Sequence, residues 1–255
     1  MAIKRAIEID TLDRLAKGFQ ESRGITDKLT TEQMIAFANE PVASGDNKFL
    51  ALVDDTLTEI TSEDFEGATK IRDYIFYRSS VRGNITFPNS VTTIGNYAFN
   101  NSGIESINTG EVQTIGQYTF GGCRSMTSLY LSDSLTSIGH TTFQSCSNLT
   151  QVRLSQNAQF TTLPYNAFQY CSKLKNLTIP SNITNINSSA LDIGGTVPGD
   201  KATITFLSTI PPTISTSTFS AVKLEKIIVP AGSGEAYKTA TNWANFADYI
   251  EEAAV

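Results

Sequence analysis

A chain of 255 residues with an ordinary apolar share, 40%, can bury a large core as one long domain or as two, which excludes disorder throughout. Its net charge of −6 argues against a general nucleic-acid binder, and no apolar run approaches the length of about 18 residues that a membrane span needs. The charge is uneven: residues 1–80 hold 10 basic and 15 acidic groups, residues 81–229 hold 8 and 6, and residues 230–255 hold 1 and 4. The middle is therefore nearly neutral, and 54 of its 149 residues are Ser, Thr or Asn, a surface suited to short polar contacts rather than to steering a charged ligand.

The N-terminal stretch "MAIKRAIEIDTLDRL" does not read as a secretory leader, because Glu8, Asp10 and Asp13 interrupt the apolar segment. Residues 1–48 carry no repeat and read as two short helices. Leu12, Leu15, Ala16 and Phe19 recur at helical spacing. Further on, Thr30 and Gln33 have capping-box spacing, and Met34, Ile35 and Ala38 share a face before Pro41 stops it.

From residue 49 onward a unit recurs. An aliphatic residue stands five places before a Phe in the pairs Ile60 and Phe65, Ile94 and Phe99, Ile115 and Phe120, Ile138 and Phe143, Leu163 and Phe168, and Ile214 and Phe219. Ile186 and Leu191 keep the spacing with Leu in place of Phe. Three places before the aliphatic residue stands another apolar one, as in Leu57, Val91, Val112, Leu135, Phe160 and Ile183. After the Phe, apolar residues follow at plus 6, 9 and 11: Met126, Leu129 and Leu131; Leu149, Val152 and Leu154; Leu174, Leu177 and Ile179. The unit at Phe65 fits the same offsets with Ile71, Tyr74 and Phe76. The plus 9 and plus 11 positions alternate with period 2, so "SLYLS", "QVRLS" and "NLTIP" read as short strands. The Ile-to-Phe stretch, with Gly or Pro beside the aliphatic residue, reads as a tight turn or short extended piece. No unit can bury its own Ile, Phe and Leu set. Stacked in a coil, each covers the next, so the expected fold is a repeat solenoid of short β-strands and turns over residues 49–229.

The order Ile, Phe, Cys, Leu, Leu in this spacing resembles the BspA-type leucine-rich repeat across roughly residues 56–229. Residues 227–250, "IIVPAGSGEAYKTATNWANFADYI", are similar to the closing segment of such arrays, which implies a C-terminal cap over 230–255. Residues 1–48 are then expected to be an N-terminal helical cap or attachment segment, and short helices to close both ends. The resemblance implies adhesion or protein binding rather than catalysis, at a cell surface or outside the cell. Within residues 1–48, "KLTTEQMIAF" also resembles short segments of tail-associated proteins of tailed phages, which implies attachment of the array to a virion.

The stretch "IGQYTFGGC" poses a thiol question that the repeat answers. Cys123, Cys146 and Cys171 each stand three places after the repeat Phe, where other units have Ala68, Ser102, Gly194 and Val222. The place suits a small buried side chain. Strands in register keep equivalent residues about 4.8 Å apart with parallel side chains, wider than the roughly 3.8 Å of a disulfide's Cβ atoms. Three soft ligands in a line make no tetrahedral metal site. His140, the single histidine, reads as a solvated turn residue, and Glu105 and Glu111 as solvated acids, so no catalytic residue, cofactor or metal is expected.

Alternation supplies the candidate recognition face. Tyr130, Arg153 and Thr178 at plus 10, and Ser128, Gln151 and Asn176 at plus 8, lie between or beside inward positions and face solvent. Thr205 extends the first column if the long stretch "DIGGTVPGDKATITF" returns to register. The expected function is a non-catalytic binding or structural module. It is either a tail-associated virion protein that contacts a host surface, or a surface or secreted adhesin whose leader has been removed. Its expected partners are proteins or glycans of a cell surface, or other virion proteins, without nucleic acid or membrane insertion.

Overall fold

The computed structural model describes residues 59–195, 199–220 and 223–254. The two expected N-terminal helices, Leu57 and Val222 lie outside the described residues. The strands run in chain order as β1 (Lys70–Ile71), β2 (Arg82–Thr86), β3 (Thr93–Ile94), β4 (Gly103–Asn108), β5 (Thr114–Ile115), β6 (Ser128–Tyr130), β7 (Ser137–Ile138), β8 (Gln151–Arg153), β9 (Thr162–Leu163), β10 (Asn176–Ile179), β11 (Asn185–Ile186), β12 (Ala202–Phe206), β13 (Thr213–Ile214), β14 (Leu224–Val229) and β15 (Ile250–Glu252). They form a parallel β-solenoid of about eight turns among the described residues.

Each turn contributes one strand to each of two walls. One wall is built by β2-β4-β6-β8 and β10-β12-β14-β15, the other by β1-β3-β5-β7 and β9-β11-β13, with parallel pairing throughout. The register stacks like on like. Ile85, Ile107, Leu129 and Val152 are partners across the first wall, and Ile94, Ile115 and Ile138 across the second. Parallel ladders need a crossover between successive strands, and here the crossover is the turn itself.

Between the walls runs a stack of phenylalanine rings. Phe99 and Phe120 lie 5.3 Å apart at 8°, Phe120 and Phe143 5.6 Å at 2°, and Phe143 and Phe168 5.3 Å at 12°. All four rings are fully buried. Leu191 continues the column: its N–H bonds the Thr218 carbonyl as the Phe168 N–H bonds Ala190.

The first unit departs from the expected register. Lys70 pairs with Thr93 and Ile71 with Ile94, so Ile71, not Ile60, stands in the aliphatic column. Phe76 follows five places later and stacks on Phe99 at 5.0 Å and 21°. Ile60 belongs to the opposite wall, where its neighbour Glu59 bridges Arg82 in parallel. Phe65 meets Phe76 and Phe87 edge-on, at 6.3 and 5.2 Å. Ala68 therefore precedes Ile71 by three, in the place of Val91 and Val112, and the cysteine place of that unit falls to Ser79.

The wide turn between Ile and the next wall holds two left-handed residues. Tyr74, Tyr97, Tyr118, Thr141, Asn166 and Ser189 have φ between 55° and 62°, and a second set includes Arg78, Asn101, Ser145 and Tyr170. Most are not glycine, so the ladder between turns must hold them there against a local cost. Gly139 shows how close the turns come: a Cβ on it would sit 2.3 Å from the Gln117 backbone nitrogen.

After Val229 the chain enters helix α1 (Gly234–Thr239) and a 3-10 segment (Trp243–Tyr249) before β15 pairs with β14. Tyr237, Trp243 and Phe246 are buried, with Trp243 against Phe206 at 5.1 Å and Phe219 at 5.8 Å. The Trp243 indole N–H donates to the Pro212 carbonyl at 2.8 Å, which satisfies the one polar atom this ring brings inside.

Candidate functional site

The site grows out of the even-numbered wall. Ile85, Ile107 and Leu129 seal its floor from below, and the residues flanking them are forced outward. Two outward columns result. One runs Asn84, Ser106, Ser128 and Gln151, the other Thr86, Asn108, Tyr130 and Arg153. β10 lies beside β8 and brings Asn176 and Thr178 to the same wall. On the next strand Thr203 pairs with Asn176 and Thr205 with Thr178, so the long stretch before β12 does return to register. The columns Asn84 to Gln151 and Thr86 to Arg153, with Asn176, line an open groove of about 630 Å3.

All six face residues expected from the sequence lie on this wall. Tyr130, Gln151, Asn176 and Thr178 are exposed, and Ser128 and Arg153 half-buried. Their neighbours Asn84, Ser106, Thr86 and Asn108, which lengthen the two columns by two turns, were not among them. Asp133 was also missed, and it decides what Arg153 is. The Arg153 guanidinium lies 4.7 Å over the Tyr130 ring, donates through Nη1 to the Leu131 carbonyl at 2.8 Å, and pairs through Nη2 with Asp133 Oδ2 at 2.7 Å. Asp133 Oδ1 accepts the Gln156 backbone N–H at 2.7 Å. The hydrogen bond from Arg153, then that from Gln156, hold the Asp133 carboxyl below the usual carboxylate range, and the same pairing raises Arg153. The planar fork of an arginine can stack and make both bonds at once, which a lysine cannot. Arg153 is thus a strut that fixes Tyr130, rather than a free cation.

The thiols are placed where the repeat put them, and each makes a bond the sequence did not suggest. Cys123 Sγ donates to the Phe99 carbonyl at 3.0 Å, Cys146 to Phe120 at 3.2 Å and Cys171 to Phe143 at 3.2 Å. Each thiol thereby ties its turn to the Phe of the turn before. Burial pushes Cys123 up to about 11, Cys171 up to about 12 and Cys146 well up, so none is a thiolate near neutral pH.

The turn edge carries a second ordered row. Tyr74 and Tyr97 stack at 4.8 Å, Tyr97 and Tyr118 at 4.7 Å, and His140 meets Tyr118 edge-on at 5.3 Å. His140 is exposed, as expected of a turn residue, but it ends this ladder rather than standing alone. Of the two acids, Glu105 is exposed on β4, and Glu111 accepts the Ser134 hydroxyl at 2.6 Å. Among the described residues no group of three His, Cys, Asp or Glu could hold a metal, and no helix is long and apolar enough to cross a membrane.

The repeat now has its geometry, and a family model for the BspA type leucine rich repeat region matches residues 69–193 in six copies. Residues 69–193 are a BspA-type leucine-rich repeat region. Three solved structures resemble the chain. A leucine-rich repeat protein of T. pallidum is 20% identical with a TM-score of 0.43, over 59% of this chain and 73% of that one. A leucine-rich cell surface protein of Faecalibacterium prausnitzii is 20% identical with a TM-score of 0.41, over 78% and 67%. A leucine-rich repeat protein of Bacteroides ovatus is 21% identical with a TM-score of 0.29, over 59% and 55%. No curated protein matches. The phage-like segment at residues 28–37 lies outside the described residues, and none of these comparisons shows that likeness. In this array the Ile and Phe columns are core, the thiols tie turn to turn, and the outward columns face solvent.

Proposed function

We propose that this protein is a non-catalytic binding module that contacts a protein or glycan of a cell surface through the even-numbered wall. The observation that carries this reading is the pre-set Tyr130–Arg153–Asp133 cluster beside an open polar groove. An exposed tyrosine ring already held in one orientation has little rotamer freedom left to lose on binding. The array suits an adhesin at or outside the cell surface. A tail-associated virion role is the second reading. It is favoured by the likeness of residues 28–37, and tail and lysis genes beside the coding sequence would support it. In either setting the described turns between residues 59 and 229 form the solenoid, and residues 234–252 close one end.

Binding of labelled protein to bacterial cells and host matrix proteins tests the face. Tyr130→Ala or Arg153→Ala should weaken binding by about 2 kcal/mol, nearly thirtyfold, with the fold intact by circular dichroism. Gln117→Ala and His140→Ala, on the turn edge, should change it little. Loss of binding in the edge variants with retention in the column variants would make the edge the working face.

A further inference from the structure

We infer that the groove of the even-numbered wall takes a neutral, hydroxyl-rich chain, a glycan of the cell surface, in preference to a protein or an acidic polymer. This rests on the proposed use of that wall for binding and narrows what it binds.

The first argument is charge. Arg153 is the one charged side chain among the described residues that line the groove, and Asp133 at 2.7 Å neutralises it while the Leu131 carbonyl occupies its other arm. A groove without net charge offers nothing to a sulfate, phosphate or carboxylate polymer that water does not offer better.

The second argument is apolar content. Protein interfaces draw their energy from buried aromatic and aliphatic anchors in a desolvated centre. The exposed large apolar side chains among the described residues are Tyr130, Tyr165, Tyr170, Leu207 and Ile210, and only Tyr130 lines the groove. Ile85, Ile107 and Leu129 below it are 2–3% exposed and sealed from a partner. An added peptide strand has no place beside β4 or β6, whose main-chain groups pair with a neighbouring strand on both sides.

The third argument is unused hydrogen-bonding capacity. The Gln151 and Asn176 amides and the Ser128 and Thr178 hydroxyls make no side-chain bond to the described residues, while Ser106 donates to Asn84 and leaves that amide's N–H2 outward. Donors and acceptors of both kinds thus recur on successive turns, about 4.8 Å apart. A chain of sugar rings presents hydroxyls, also donor and acceptor at once, at every residue. A row of such groups can match it ring by ring, with the fixed Tyr130 as the one ring for a sugar's C–H face to meet.

Two experiments separate this inference from the reading beneath it. In the first, cells that bind the labelled protein are treated with periodate, which cleaves sugar diols, or with protease. Binding should fall at least tenfold after periodate and persist after protease. In the second, a panel of neutral hexasaccharides whose every ring carries a vicinal diol (β1,4-linked glucose, β1,4-linked mannose and α1,6-linked glucose) is titrated by calorimetry. At least one should bind, with an affinity unchanged between low and high salt. Gln151→Ala with Asn176→Ala should weaken that binding about tenfold, through loss of two hydrogen bonds. Arg153→Lys, which keeps the charge but loses the stacked fork, should weaken it severalfold. Cell binding that survives periodate but not protease, and still needs Tyr130, overturns the glycan and leaves the wall as a protein-binding face. Strong salt dependence would overturn it in favour of an acidic partner. Cell binding indifferent to every wall variant would remove the underlying reading as well.

Discussion

Phe143→Ala tests the stack that the whole array depends on. The ring is fully buried, 5.6 Å from Phe120 and 5.3 Å from Phe168, and stacked on both. Truncation of a buried aromatic costs about 3–5 kcal/mol, through lost transfer energy and the cavity left behind. Two features place this site in the upper half of that range. Both ring faces are stacked, and each such contact contributes about 0.5–1.5 kcal/mol beyond its area. The neighbouring rings also cannot collapse into the space, because the ladders above and below fix their turns: the Phe143 N–H bonds Ala167, and the Phe120 N–H bonds Thr142. The expected loss is about 4–5 kcal/mol. Leu191 stands in this column in the native chain. Phe143→Leu should therefore cost only about 1–2 kcal/mol. Urea unfolding followed both by far-ultraviolet circular dichroism and by tryptophan fluorescence measures the change. Trp243, the single tryptophan, sits on the last turns, far from the lesion. Because turns touch only their neighbours, the alanine variant should also separate the two probes, with the C-terminal turns melting apart from the rest. A loss below about 1 kcal/mol with coincident probes would remove Phe143 from the stack and refute the repeat geometry.

Gly139→Ala should cost about 1–3 kcal/mol by denaturant melt, since its Cβ would press on the Gln117 backbone, which has no side chain to swing away. Thr141→Asn should stabilise by about 0.5–1 kcal/mol: Thr141 is β-branched at φ 61°, and Asn166 fills the same place one turn on at φ 56°. The thiols, whose folded values lie above the unfolded one, contribute stability that is intact at neutral pH and lost as pH climbs through about 9 toward 11–12. Replacing all three by Ala should flatten that alkaline slope in pH-dependent melts, and a thiol reagent should not label the native protein quickly. Asp133, held low by Arg153 and Gln156, should keep Tyr130 fixed at neutral pH and release it only as pH falls below the ordinary carboxylate range. Asp133→Asn should loosen Tyr130 at every pH, seen as broadened ring resonances.

The core was legible because it is periodic. Five-residue Ile-to-Phe spacing and the plus 9 and plus 11 alternation translate directly into columns, and Phe99, Phe120, Phe143 and Phe168 stack as the spacing requires. The first unit was misread because two matches overlap. Ile60 to Phe65 and Ile71 to Phe76 both satisfy the spacing, and only the pairing of Ile71 with Ile94 decides between them. The tyrosine ladder was hidden by that error: Tyr74, Tyr97 and Tyr118 each stand three places after the true aliphatic residue. The left-handed turns were illegible for a different reason. Glycine marks such a place in a sequence, whereas Tyr97 or Thr141 does so only under constraint from adjacent turns. On the face, Tyr130 and Arg153 followed from alternation, but Asp133 did not. It lies twenty residues from Arg153 in sequence, and one turn away in space.

That asymmetry between columns bears on how recognition is built here. Inward positions are tied to neighbours above and below, so a change at one turn disturbs the turns on either side. Outward positions are bound mainly through the backbone they ride on, and Gln151 and Asn176 can change without touching the stack. Arg153 is tied more widely, since it couples Tyr130 to Asp133, and Asp133 to the Gln156 backbone. Arg153 is therefore the outward residue whose loss should propagate, freeing a ring on its own turn's neighbour and a corner beyond it. A solenoid that recognises by rows of weak polar contacts gains from one such fixed point, because a fixed ring sets the register of every contact along the row.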